Sequence, residues 1–133
     1  TLSALVAAVE DAVDAAPTPT EKFRRMFGSL VSTAVSLFFN ERKLYDIAAS
    51  SAAEGWPSAR AYAERMKQIL ADIVREGRET GEFERKTPLD ETVHAIYLVM
   101  LPYVNPLLLQ HNLDLVEEAP TRLSSLVLRS LSP

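Results

Sequence analysis

The sequence contains no cysteine. That excludes disulfides, thiolate catalysis and cysteine-ligated metals, and says nothing about compartment. Glycine is scarce, with four residues in 133, and no stretch alternates apolar and polar residues as a half-buried strand does. Those two shortages favour an all-α chain. Basic charge is not in excess either. The formal net charge is −4, which gives no bulk electrostatic drive toward nucleic acid. No positively charged stretch precedes an apolar one at the N-terminus, so no signal peptide is expected. The longest apolar run, Ala95 to Leu109, contains Pro102, Asn105 and Pro106. It falls short of the ~20 residues that a membrane span requires, so a soluble protein is expected.

What is present is an ordinary globular composition, 47% apolar and 24% charged. Residues 1–133 are enough for one domain with a real core. The chain opens on Thr1, in mid-pattern and without a Met start, which suggests that an upstream portion has been removed.

Helical periodicity organises the chain. Leu2, Leu5, Val6, Val9 and Val13 recur on one face of a first helix, about 2–15, which Ala16-Pro17 ends. Thr18-Pro19-Thr20-Glu21 reads as a capping box with proline at the first helical position. The helix it starts carries Phe23, Met26, Phe27, Leu30, Val31, Ala34, Leu37 and Phe38 on one side, with Arg24, Arg25, Ser29, Ser32, Thr33 and Ser36 on the other. Asn40 is a break, and a short third helix follows with Leu44, Tyr45, Ile47 and Ala48. After the turn at Gly55-Trp56-Pro57 comes the cleanest period in the chain: Tyr62, Met66, Ile69, Leu70, Ile73, Val74 and Gly77 in a helix of about 58–80.

Gly81 is placed to close that helix in a left-handed conformation. Thr87, Pro88 and Asp90 then offer an N-cap, a first-turn proline and an N3 acid for the next one. This fifth helix, from about 88 toward 110, is apolar on nearly every face and is expected to kink near Pro102 and Pro106. A helix of that kind needs cover on two sides, from its own domain and from a partner. His111-Asn112-Leu113-Asp114 makes the last turn, and a sixth helix carries Leu123, Leu126, Val127, Leu128 and Leu131. Pro120 fits either its first position or its first turns.

This order of helices resembles the C-terminal ligand-binding and dimerisation domain of TetR-family transcriptional regulators. The first helix and the Pro19/Glu21 restart are similar to one junction of that domain. Arg78-Glu79-Thr80-Gly81-Glu82-Phe83 with Thr87-Pro88 is similar to another, and Leu126-Val127-Leu128-Arg129-Ser130-Leu131 to the final dimerisation helix. The resemblance implies an all-α bundle of about six helices in a cytoplasmic, bacterial homodimer. It implies no catalytic residue and no cofactor. It also implies a small apolar or amphipathic ligand whose binding releases operator DNA. The family's helix-turn-helix region is absent from this chain, so operator contact would belong to a longer parent. Arg24, Arg25, Arg42 and Lys43 are spread over two helices and read as solvated faces.

The resemblance places Trp56, Tyr62, Met66, His94 and Tyr97 around the ligand cavity. It assigns the dimer interface to Val93, Leu101, Leu108, Leu123, Val127 and Leu131. The residues alone leave a second reading open, because Phe23, Phe27, Tyr45, Trp56, Tyr62, Met66, Tyr97, Met100 and Tyr103 serve equally well as plain core. His94 has Glu91 three residues before it, yet His111 is the only other histidine, too little for a zinc site. No metal site is expected, and no nucleophile–base set or phosphate loop is recognisable. The alternative function is a self-standing helical dimerisation or carrier domain without a DNA link. A helix-turn-helix in the upstream reading frame would decide between them.

Overall fold

The computed structural model describes residues 2–133, with side chains from Ala4 onward. The Leu2 side chain of the first apolar stripe lies outside the described residues. The described residues form seven helices and no strand: α1 (Leu2–Asp14), α2 (Pro19–Asn40), α3 (Arg42–Glu54), α4 (Pro57–Thr80), α5 (Leu89–Val104), α6 (Pro106–Leu109) and α7 (Ala119–Leu131). The all-α expectation holds. The count rises by one because the expected kink near Pro106 is a break.

Local chemistry sets most of these ends. Thr18 is the N-cap of α2, and its hydroxyl accepts from the Glu21 backbone N–H at 3.2 Å. The Glu82 carboxylate, from the loop after α4, accepts from the Thr20 hydroxyl at 3.2 Å and so adds negative charge at the same helix start. Gly55 and Gly81 end α3 and α4 at φ of 65° and 83°. Only glycine adopts that region without strain.

The start of α5 differs from expectation by one residue. Pro88, at φ −51° and ψ 140°, takes the capping position itself, and Leu89 is the first helical residue. Thr87 precedes a proline and is thereby biased to extended backbone. Its N–H is held by the Glu84 carboxylate at 3.3 Å and its carbonyl by Arg78 at 2.6 Å.

The break between α5 and α6 follows from two prolines. Pro106 has no N–H for the carbonyl of Pro102, four residues before it. The side-chain amide of Asn112 donates to that carbonyl instead, at 3.3 Å. Asn105 then caps α6, its side chain accepting from the Leu107 backbone N–H at 2.9 Å. At the start of α7, Glu118 holds the N-cap position, so Pro120 lies in the first turn.

Helix α2 is the centre of the bundle and packs against each of the other helices. Its inward residues Phe23, Met26, Phe27, Leu30 and Val31 are buried. They meet Val9 and Val13 of α1, Ile69, Leu70, Ile73 and Val74 of α4, Ile96 and Met100 of α5, and Val127 and Leu131 of α7 in one core. Ser124, on the α7 face turned into the bundle, is fully buried, and its hydroxyl has no hydrogen-bond partner among the described residues. Removing a desolvated, unpaired hydroxyl and gaining helix propensity should both help. Ser124→Ala is expected to stabilise the domain by about 1 kcal/mol, read as a higher urea midpoint at unchanged slope.

Candidate functional site

A cavity of about 790 Å³ opens between α1 to α6. Its existence has a simple cause. On α3, Ala48 and Ala52 line it one turn apart, and Ala59 and Ala63 do the same on α4. Small side chains at facing i, i+4 positions cannot fill the space between two helices. Leu5 and Val9 close it from α1, Leu30 from α2, and Met100 and Val104 from α5. The volume lies within the range of pockets that hold small organic molecules.

The cavity wall is mostly apolar and carries several polar groups. Tyr45 is buried, and its phenol donates to the Pro106 backbone carbonyl, tying α3 to the start of α6. Its ring meets Phe38 edge-on, with centroids 5.0 Å apart. Ser51 is also buried and donates to the Ile47 carbonyl at 2.9 Å. Tyr62 of α4 is pushed up to about 12, first by burial and then by the neighbouring Tyr97 phenol. Tyr97 of α5 is shifted upward too, by burial and then by the Glu64 carboxylate. Both phenols are therefore neutral at any physiological pH. Glu41 is the single charged side chain among the lining residues, and it is exposed.

Four of the five residues expected at the cavity line it: Trp56, Tyr62, Met66 and Tyr97. Met66 is buried in the floor, whereas Trp56 is 44% exposed at the mouth, next to the exposed Leu44 and Ile47 of α3. His94 does not join them. Thr92, Val93, Ile96 and Met100 turn α5 inward, and the helical step of about 100° after Val93 carries His94 to the exposed outer side. Among the described residues no group of three or more His, Asp or Glu is placed to hold a metal ion.

The cavity also uses residues that the sequence pattern gave to water. Ser32, Thr33 and Ser36 of α2 sit on its rim. The paired alanines were the readable signal that went unused.

The expected interface residues divide by burial. Val93, Val127 and Leu131 are buried in the chain's own core. Leu101, Leu108 and Leu123 are partly exposed. The large apolar side chains that do stand out on α5 and α7 are Leu98 and Leu126, 51% and 55% exposed. Among the described residues no helix is long and apolar enough to cross a membrane.

These features define a class: an all-α bundle with an internal cavity and an apolar outer face on its late helices. Residues 19–124 match the family of tetracyclin repressor-like, C-terminal domains, and the chain belongs to that TetR family. Neither a curated protein nor a solved structure matches it.

Proposed function

We propose that residues 1–133 act as a single effector-binding and dimerisation domain of a TetR-like transcriptional regulator. The observation that carries the reading is the cavity of about 790 Å³, walled by apolar side chains from α1 to α6. A small, mostly apolar ligand in it touches Leu5 and Val9 of α1 directly. In a regulator of this family α1 leads toward the DNA-binding head. A ligand that favours one position of α1 over another shifts the whole equilibrium by its differential affinity. Release of operator DNA in the cytoplasm of a bacterium is the output that this coupling serves.

The test uses the uncharged apolar dye Nile red. Its fluorescence should rise on titration with this chain. Ala63→Trp, which places a large ring in the cavity, should weaken uptake by roughly tenfold or more and leave the oligomeric state unchanged. No uptake by the unaltered chain would remove the reading.

The same reading assigns the partner. A second copy of the chain covers the outer faces of α5 and α7 in a two-fold arrangement of four helices. Support comes from Leu98 and Leu126, and from charge. Asp90 and Glu91 are exposed on α5, whereas Arg122 and Arg129 are exposed on α7. Packing α5 on the partner's α7 brings these opposite signs together. DNA contact is assigned to the head region alone. In a gel-retardation titration this chain should show no sequence-specific binding at physiological salt, since it presents no basic recognition helix.

A further inference from the structure

This inference rests on the ligand-binding reading above and concerns the chemistry of the ligand. Of the polar groups that line the cavity, Ser32, Ser36 and Ser58 are exposed to water and Thr33 is partly so, and others are already used within the fold. The Tyr45 phenol is bound to the Pro106 carbonyl, the Ser51 hydroxyl to the Ile47 carbonyl, and the Asn105 side chain to α6. Tyr62 and Tyr97 are different. Both line the cavity, from the adjacent helices α4 and α5, and the Tyr97 phenol adds to the cost of ionising Tyr62. Neither hydroxyl has a hydrogen-bond partner among the described residues.

Two neutral O–H donors therefore line one mostly apolar space from adjacent helices. A donor left unmatched against apolar walls is costly, and an acceptor brought by a ligand removes that cost. A carbonyl oxygen has two lone pairs and can accept from both phenols at once. A hydrocarbon offers no acceptor. A carboxylate or phosphate would have to give up its hydration in a cavity whose lining holds no cation and one carboxylate, Glu41. Lys67 is not a lining residue; its ammonium is over the Tyr97 ring, 4.8 Å from the centroid.

We propose that Tyr62 and Tyr97 together donate to one carbonyl oxygen of an uncharged ligand, so that the effector class is ketones and esters rather than carboxylates, phosphates or pure hydrocarbons. The apolar remainder of such a molecule lies along Ala59, Ala63 and Leu70, with Trp56 at the entrance.

Calorimetric titration of the whole chain tests this with benzophenone and methyl nonyl ketone as uncharged carbonyl probes. Diphenylmethane is the same skeleton as benzophenone without the oxygen, and benzoylbenzoate is its anionic counterpart. Benzophenone should bind roughly tenfold more tightly than either comparator. Tyr62→Phe and Tyr97→Phe should each weaken both ketones about three- to tenfold and leave diphenylmethane unchanged. Ketone affinity should be flat from about pH 6 to about pH 9, because the donors stay protonated throughout. The Tm of both variants should match that of the parent chain, since no hydrogen bond within the protein is lost. A lower Tm would mean that the hydroxyls are already partnered, and would overturn the proposal. Equal binding of benzophenone and diphenylmethane, untouched by either variant, would also overturn it while leaving the cavity a ligand site. Failure of every probe to bind would remove the ligand-binding reading as well.

Discussion

Gly77→Ala is expected to lower stability by about 3 kcal/mol, although alanine favours a helix by about 1 kcal/mol over glycine. The reason is the turn at Gly81. The chain reverses there and lays Phe83 back across α4, where its backbone N–H donates to the Gly77 carbonyl at 2.9 Å. The ring then covers the bare face of Gly77. A Cβ at that position would stand 1.9 Å from the Phe83 ring, far inside van der Waals contact. Phe83 is buried and cannot swing into solvent without losing its packing. The next residue is held as well, because the Glu84 N–H donates to the Leu131 carbonyl at the end of α7, 2.7 Å away. Displacing Phe83 thus loosens the contact between this loop and the last helix. Urea unfolding of Gly77→Ala, Phe83→Ala and the double variant checks the mechanism. Phe83→Ala should cost about 3–5 kcal/mol. The double variant should be no worse than Phe83→Ala alone, because the clash has gone. Additive losses would refute this account of Gly77.

That contact illustrates what the pattern of residues conveys and what it omits. Periodicity placed Gly77 on the buried stripe of α4, and Gly81 was readable as the stop. Neither indicated that Phe83 would return to cover Gly77, since such a contact exists only once the turn geometry is fixed. The helix starts at Thr18 and Pro57 were legible because capping chemistry is local. The start of α5 slipped by one residue because a proline constrains its predecessor as well as itself. Whether the apolar run near Pro106 would bend or break depended on Asn112, which supplies a donor to the Pro102 carbonyl from ten residues away.

The cavity was legible as an inventory and not as a surface. Tyr62, Met66, Tyr97 and Trp56 line it because large side chains on successive helices converge when those helices pack. His94 lies on the exposed side because Val93, Ile96 and Met100 together set the rotation of α5 about its axis, and polar residues mark that rotation only in the first turns of the helix. The same weakness applies to the outer face of α5. On such a helix, burial within the protomer separates Val93 from Leu98, and sequence alone gives both the same character.

Leu98→Glu and Leu126→Glu are expected to convert a dimer into a monomer. In the proposed two-fold arrangement each substitution is made twice, so that four carboxylates enter an apolar seam in the double variant. An obligate helical interface of this type buries roughly 2,000 Å² or more in total. Loss of one central apolar anchor together with burial of an unpaired charge should weaken association by at least roughly 100-fold, or about 3 kcal/mol. Sedimentation velocity at micromolar concentration reads the change directly. Leu44→Glu is the control. Leu44 is 53% exposed, as much as Leu98, but it belongs to α3 at the cavity mouth, away from the seam. That variant should remain a dimer and take up Nile red less well. The charge argument predicts a further asymmetry. Arg122 is engaged with Glu118 of its own helix at 3.1 Å, whereas no ion pair is formed by Arg129 among the described residues. Reversing Arg129 to Glu should therefore weaken the dimer more than reversing Arg122, and the difference should shrink as salt is raised. An unaltered chain that sediments as a monomer would dismiss the two-fold arrangement. A dimer indifferent to both leucine substitutions would move the interface to another face of the bundle.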